Sequence, residues 1–127
     1  MSDRKRIAIV DDDESVRESL PELIKSFGYE AQPFASAKAF LQSGEIKVAD
    51  CVILDVAMPG MSGPELYEEL RRTGYDTPVI FITAHSNEKG FLALLESGAV
   101  ACLSKPFSED ATLKAVRTAL EHPRGVC

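Results

Sequence analysis

The sequence predicts an α/β fold in which helices cover both faces of a doubly wound parallel sheet. Apolar runs at 7–10, 51–54 and 79–82 do not alternate with polar residues, which is typical of parallel strands buried on both faces. Amphipathic stretches closed by glycine separate these runs, so strands and helices alternate along the chain. Strand–helix–strand units with right-handed crossovers build a layered α/β sandwich.

Five strands are expected. The second carries Pro33, which indicates the edge of a sheet because proline cannot donate to the strand ladder. The first strand is expected to be central, since its residues are among the most uniformly apolar. The predicted strands cover residues 7–10, 30–34, 51–55, 78–83 and 100–104.

Five helices are expected between and after these strands. The N-terminal end of the first helix favours carboxylates and an Asp or Ser cap, which accounts for Asp13, Glu14 and Ser15. Ser36, Ser62 and Ser108 are predicted N-caps of later helices, and Glu65 completes a capping box with Ser62. Pro21 lies inside the first helix and should kink it or be absorbed near its first turns. The predicted helices begin after the caps and cover about 15–27, 37–43, 63–73, 87–97 and 109–120.

Composition narrows the classes of protein to consider. A chain of 127 residues can bury a core of its own, so we expect a single domain over 1–127. The net charge of −6 argues against direct nucleic-acid binding by this chain. Without an apolar run of membrane-spanning length or a leader, a soluble cytoplasmic protein is expected. The three cysteines, at 51, 102 and 127, form no CxxC pair, which favours reduced thiols over a disulfide framework or a zinc site.

Polar side chains of a particular kind stand at four strand ends. Asp11 and Asp12 follow the first strand, Asp55 ends the third, Thr83 ends the fourth and Lys105 follows the fifth. The carboxyl ends of parallel strands share one edge of the sheet, where ligands bind in such folds. Carboxylates packed together raise one another's pKa unless a cation balances them, and Mg²⁺ is a natural partner for such oxygens.

This set of side chains suits phosphoryl transfer. A carboxylate such as Asp55 can attack phosphorus and become an acyl phosphate, while a metal ion and Lys105 neutralise charge on the transferred oxygens. A hydroxyl such as Thr83 can then bind the new phosphoryl group. Taken singly, Asp55 could cap the following loop, Thr83 could be a β-former and Lys105 a solvated surface residue. Their joint placement on one sheet edge favours a functional site.

The order and spacing of five short segments resemble the receiver domain of the two-component response-regulator family over nearly the whole chain. Each segment is weakly specific alone, and together they are highly specific. The resemblance implies a flavodoxin-like (βα)5 sandwich with sheet order 2-1-3-4-5. The segments are Val10-Asp11-Asp12-Asp13, Ile53-Leu54-Asp55, Met58-Pro59-Gly60-Met61-Ser62-Gly63, Ile82-Thr83-Ala84 and Lys105-Pro106-Phe107.

The resemblance also implies roles for the acidic residues. Asp55 would be the phosphoacceptor, loaded from a phosphohistidine on a sensor histidine kinase. Asp12 would bind Mg²⁺ (or Mn²⁺) directly, and Asp11 would help mainly through water. Asp55 and the backbone carbonyl of Ala57 would complete the protein ligands.

The remaining implied roles concern the response to phosphorylation. Thr83 would be the switch hydroxyl, Lys105 the phosphate-binding lysine, and the Lys105–Pro106 peptide bond would be cis. The surface made by the fourth predicted helix, the fifth strand and the last helix would switch. That surface would control a downstream protein, an attached output domain, which could bind DNA, or a phosphorylation-dependent homodimer.

Three positions near the site depart from or vary within the family pattern. Cys102 stands three residues before the lysine, where the family usually has Phe or Tyr, so we expect that part of the switch to be lost or muted. Ala57 and His85 occupy positions that tune acyl-phosphate hydrolysis in the family. Ala57 cannot position a water, whereas His85 can either position one or shield the site, so the lifetime stays open.

Other functions fit the sequence less well. An aspartate-nucleophile phosphatase would have a second Asp where Ala57 stands and room for a substrate cap, so turnover of an outside substrate is not expected. A nucleotide- or flavin-binding domain would carry GxGxxG or a P-loop after the first strand, where this chain has acids. A degenerate receiver that binds proteins without phosphate is the remaining alternative, favoured by Cys102.

Overall fold

The computed structural model describes residues 4–84, 93, 95, 96 and 98–121. They contain a five-stranded sheet in which every pairing is parallel and the order is β2-β1-β3-β4-β5. This confirms the flavodoxin-like order and the edge position of the strand that contains Pro33. The strands are β1 (Arg6–Val10), β2 (Glu30–Phe34), β3 (Cys51–Asp55), β4 (Val79–Thr83) and β5 (Ala101–Ser104).

The expectation of a central first strand is wrong. β3 is the middle strand, and β1 lies between β2 and β3. Uniform apolar character marks a strand that is covered on both faces and flanked on both sides. β3 and β4 are buried along their whole length as well, so apolarity separates interior strands from edges without ranking them.

Helices cover both faces of the sheet, as a doubly wound fold requires. On one face α1 and the C-terminal helix pack over a core that includes Leu20 and Val116. On the other face α2 and α3 pack over Phe40, Leu66 and Phe81. The helix predicted over 87–97 lies largely outside the described residues. Helical bounds are α1 (Glu14–Ser26), α2 (Ala37–Ser43), α3 (Gly63–Arg72) and the C-terminal helix (Glu109–Glu121), with a 3₁₀ turn at Glu45–Lys47.

α1 begins directly after the acidic run. The side chain of Asp13 is the N-cap and accepts a hydrogen bond from the backbone N–H of Ser15, as the sequence predicts for this residue. Pro21 is buried within a helix that continues to Ser26, so the proline is accommodated without ending the helix. In the described part of the chain, no helix combines the length and apolar character needed to cross a membrane.

The junction between β3 and α3 is closely packed. Ser62 and Glu65 form the predicted capping box, with the Glu65 N–H 3.2 Å from Ser62 Oγ and the Ser62 N–H 2.9 Å from Glu65 Oε1. The helix after Asp55 is therefore capped by Ser62. Gly63 donates its N–H to the carbonyl of Val56 at 3.1 Å, and a Cβ at Gly63 would overlap the carbonyl oxygen of Asp55.

We expect Gly63→Ala to destabilise the fold by about 2 kcal/mol, because the added methyl group meets backbone that cannot move independently of Asp55. Helix propensity alone predicts the opposite sign, a gain of about 1 kcal/mol. Urea unfolding of the two proteins decides between these signs. A variant at least as stable as the parent would contradict the close approach of α3 to Asp55.

Candidate functional site

Three carboxylates meet at the carboxyl edge of the sheet. Val10 of β1 pairs in register with Leu54 of β3, so the residues that follow them, Asp11 and Asp55, lie at the same level. Ligand oxygens of Asp11, Asp12 and Asp55 all lie within 4.8 Å of one another. Asp11 is fully buried and Asp55 is 4% exposed, whereas Asp12 is exposed. The predicted acidic cluster is therefore present, with one carboxylate open to solvent.

Lys105 supplies a cation to this cluster. Its Nζ donates a hydrogen bond to Asp11 Oδ1 at 3.3 Å and lies 3.0 Å from Asp11 Oδ2. It also lies 3.7 Å from Asp55 Oδ1 and 3.9 Å from Asp13 Oδ2. Its backbone N–H donates to the carbonyl of Thr83 at 2.7 Å, which fixes the lysine beside the end of β4. Burial opposes the charge, but the hydrogen bond and charge of Asp11, with Asp55 and Asp13, raise the pKa of the Lys105 ammonium above its ordinary value.

The electrostatic balance at Asp55 is unfavourable for its charged form. Burial raises the pKa of Asp55 to about 7, and the charge of Asp11 acts in the same direction while Lys105 opposes both. Lys105 thus faces three carboxylates, those of Asp11, Asp13 and Asp55, and Asp12 adds a fourth to the same edge. A further cation at this edge would favour the ionised form of Asp55, which is the nucleophilic form.

The donor set fits a hard divalent cation. Asp11 Oδ2 is buried and, although it lies 3.0 Å from Lys105 Nζ, it makes no hydrogen bond of good geometry within the described part of the chain. A buried carboxylate oxygen without such a bond is costly to leave unsatisfied. Mg²⁺ takes oxygen ligands from one or two carboxylates and keeps several waters, which suits a cluster with one exposed member.

The other residues singled out in the sequence have separate outcomes. Thr83 is buried at the end of β4 and pairs in register with Ser104. Ala57 is exposed in the loop after β3. Pro106 is exposed, and its peptide bond with Lys105 is cis, as the resemblance implied. His85 lies outside the described residues.

The two cysteines among the described residues carry no reactive thiol. Cys51 is buried in β3, whereas Cys102 is half-buried in β5 and pairs in register with Phe81. Burial raises the pKa of the Cys102 thiol to about 11 and raises the pKa of Cys51 as well. Both thiols are therefore protonated at neutral pH and are poor nucleophiles.

Two residues near the site were not identified from the sequence as part of it. Asp13, predicted only as a cap, also faces Lys105. Arg17 Nη1 donates to the backbone carbonyl of Asp11 at 3.1 Å and ties the first turn of α1 to the acidic loop. The position of Arg17 one turn after the cap is a signal that could have suggested this contact.

Comparison with known proteins identifies the class. Residues 7–117 match the family described as the response regulator receiver domain, and the chain belongs to that family. It is a receiver domain of a two-component response regulator, with the flavodoxin-like fold. The matched segment contains all the carboxylates of the site and Lys105.

Named relatives and solved structures agree with this assignment. Response regulator protein TodT of Pseudomonas putida is 39% identical over 122 residues, which are 95% of this chain and 54% of TodT. Nodulation protein W of Bradyrhizobium diazoefficiens is 42% identical over 118 residues, 93% of this chain and 52% of that protein. The crystal structure of FixJ-N superposes with a TM-score of 0.84 at 33% identity, covering 99% of this chain and all of FixJ-N. Vibrio cholerae CheY4 gives 0.82 at 27% identity, covering 92% and 99%.

The chain spans about half the length of the named relatives it matches. These relatives are described as response regulators, as a nodulation protein and, in the case of FixJ of Azorhizobium caulinodans, as a transcriptional regulatory protein. The comparisons therefore identify a signalling domain.

The raised pKa of Asp55 predicts that the difference in stability between the parent and an Asp55→Asn variant depends on pH. Because the pKa of Asp55 is raised in the folded state, that state holds a proton which the unfolded chain has lost, and stability falls as pH rises from about 4 to above 7. Asp55→Asn removes this loss. Without metal, we expect the free energy of unfolding of the variant, relative to that of the parent, to increase by about 1–3 kcal/mol between pH 5 and pH 8.

Urea unfolding of the parent and of Asp55→Asn at pH 5 and pH 8, with EDTA present, measures this difference in stability. Mg²⁺ at about ten times its dissociation constant should make the difference smaller, because the ion stabilises the parent more strongly than the variant. Parallel pH profiles of parent and variant would contradict the raised pKa.

Proposed function

We propose that this receiver domain takes a phosphoryl group onto Asp55 from the phosphohistidine of a sensor histidine kinase, in a reaction that depends on Mg²⁺ or Mn²⁺. The observation that carries the proposal is the meeting of Asp55, two further carboxylates and the Lys105 ammonium at one sheet edge. Membership of the receiver family supports it. The proposed domain covers 1–127.

The transfer needs a nucleophile and compensation of charge. An ionised oxygen of Asp55 attacks phosphorus, a P–O bond forms, and the P–N bond breaks as the imidazole nitrogen keeps the electron pair. The product is an acyl phosphate on Asp55. Lys105, 3.7 Å from Asp55 Oδ1, remains protonated and balances negative charge on the phosphoryl oxygens. Its ion pair with Asp11 holds the ammonium at that place.

Receiver domains bind Mg²⁺ at an acidic pocket, and the cluster of this chain is such a pocket. Asp12 would hold the ion directly, Asp11 mainly through water, and Asp55 with the carbonyl of Ala57 would complete the protein ligands. When bound, the ion supplies positive charge next to the phosphoryl oxygens. The exposure of Asp12 lets a hydrated ion approach without unfolding the loop.

The response to loading is proposed to begin at Thr83, whose hydroxyl would bind the phosphoryl group. The surface of β5, the C-terminal helix and the segment before β5 would then control an output domain, a partner protein or a homodimer. The relatives described as transcriptional regulatory proteins support an output domain that acts on transcription. His85 and Ala57 are proposed to tune the lifetime of the acyl phosphate.

A phosphate-independent protein-binding module is the second candidate. The ion pair between Lys105 and the buried Asp11 is compatible with it as well, because this pair forms without a phosphoryl group. Cys102 at the usual aromatic position favours it. Four retained functional residues, Asp12, Asp55, Thr83 and Lys105, favour the phosphoacceptor.

Intact-mass measurement after incubation with Mg²⁺ and acetyl phosphate tests the proposal. We expect the parent to gain the mass of one phosphoryl group, because Asp55 is the nucleophile and Mg²⁺ completes the charge balance. Asp55→Asn should gain nothing, and EDTA should abolish the gain. The matched control Asp76→Asn, which alters an exposed carboxylate before β4, should behave as the parent.

A gain that persists in Asp55→Asn would place the phosphoryl group elsewhere. No gain in the parent, from either acetyl phosphate or a phosphorylated histidine kinase, would favour the phosphate-independent module.

A further inference from the structure

The first turn of α3 is attached directly to the backbone of Asp55. Gly63 packs on the Asp55 carbonyl and donates a hydrogen bond to Val56 at 3.1 Å. Leu66 and Leu70 fix the inner face of the helix in the core with no exposure. Any displacement of the main chain at residues 55 and 56 must therefore be accommodated by α3, because a close-packed helix moves as a body.

Tyr67 stands one turn along α3 from Gly63, on the same face of the helix. Its ring meets Phe81 of β4 edge to face, with ring centroids 5.8 Å apart. The guanidinium of Arg71 lies over the ring at 4.4 Å from the ring centroid, and Arg71 also donates to the carbonyl of Tyr75 at 3.0 Å. The Tyr67 ring is thus held in one orientation and is only 7% exposed.

The hydroxyl end of Tyr67 is seated on Gly98. A Cβ at Gly98 would overlap the Tyr67 hydroxyl and come within 3.3 Å of Cζ, and Gly98 has φ +118°. Glycine is required here for both the close approach and the backbone conformation. Ala99 is buried in the same core, and Val100 donates to Val79 at 2.9 Å, so this segment docks directly on β4.

Cys102 lies two residues after Val100, in β5. It pairs in register with Phe81, the residue whose ring Tyr67 contacts. Tyr67 of α3 and Cys102 of β5 are therefore both neighbours of Phe81, Tyr67 through its ring and Cys102 through strand pairing. Cys102 also packs against the core cluster that contains Tyr67, so α3 supplies a ring to this face of the sheet where position 102 has a thiol.

We propose that Tyr67 is the positioning residue that couples Asp55 to the segment 98–102, through the hydroxyl seated on Gly98. The inference rests on the proposed function, because it needs Asp55 to be loaded. Phosphorylation changes the charge and the backbone position at Asp55, and α3 moves with that backbone because Gly63 packs against it. This movement changes the contact between the Tyr67 hydroxyl and Gly98. The start of β5 then shifts relative to β4.

The amide resonances of Gly98 and Ala99 test this coupling, recorded with Mg²⁺ before and after addition of beryllium fluoride, a phosphoryl mimic. In the parent both should shift on loading. Tyr67→Phe keeps the ring and loses only the hydroxyl, so we expect the shifts to fall to about half or less. Tyr75→Phe is the matched control, the same change at a half-buried tyrosine after α3, and should respond as the parent.

Mass gain from acetyl phosphate is measured in parallel on all three proteins and should be equal. Equal loading with undiminished shifts in Tyr67→Phe would overturn the coupling role alone, as would loading of the parent without any response at Gly98. Absence of loading in the parent would overturn the proposed function and this inference with it.

A double-mutant cycle tests the contact without loading. Gly98→Ala should raise the unfolding equilibrium constant of the parent. In the Tyr67→Phe background the factor of increase should be about fivefold smaller, because the overlapping hydroxyl is gone while the strain of positive φ remains. Equal effects in both backgrounds would show that the hydroxyl does not press on Gly98 and would overturn the inference.

Discussion

The site depends on how the chain holds several carboxylates together in a partly buried place. Asp11 is fully buried and pairs with the ammonium of Lys105, which follows β5 and is separated from β1 by β3 and β4 in the sheet order. This ion pair spans the carboxyl edge of the sheet and places the ammonium beside Asp55. Without it, Asp11 would be an uncompensated buried charge, which costs several kcal/mol. With it, one ammonium still faces three carboxylates, and the raised pKa of Asp55 expresses that imbalance.

The same imbalance links structure to chemistry. A carboxylate whose charged form is disfavoured gains most from an added cation, so metal binding and the nucleophilic state of Asp55 are favoured together. The proposed phosphoryl transfer adds negative charge at this edge, next to Lys105. The surrounding backbone is held closely by Gly63, which makes α3 the element placed to respond.

The sequence predicted the α/β class, the edge position of β2 and the helix caps at Asp13, Ser36 and Ser62, because these follow from local pattern. It also predicted that the acidic residues after β1 and at the end of β3 meet Lys105 at one sheet edge, which follows from parallel topology. It could not rank β1 against β3, since both are covered on two faces. The sequence also could not predict the distances between side chains within the acidic cluster. Lys105 pairs more closely with Asp11 than with Asp55, and that choice depends on the loop geometry after β5.

Tyr67 shows a different limit of the sequence. In the sequence it is an ordinary apolar position of an amphipathic helix, and nothing local distinguishes it from Leu66 or Leu70. Its contact with Gly98 joins residues 31 positions apart, because the Tyr67 side chain reaches from α3 to the segment before β5. Cys102 is recognisable in the sequence as a departure from a family pattern, whereas the contact of Tyr67 with Phe81, the strand partner of Cys102, is visible only in three dimensions.

Calorimetric titration with Mg²⁺ at pH 7.5 is the most direct test of the central claim that the acidic cluster requires a further cation. The account predicts one saturable site in the parent, weakened about tenfold or more in Asp12→Asn, since Asp12 is exposed and its loss leaves the core intact. Asp13→Asn keeps the helix cap and should bind within a few-fold of the parent. Absence of saturable binding, or equal affinity of the parent and Asp12→Asn, would contradict the account.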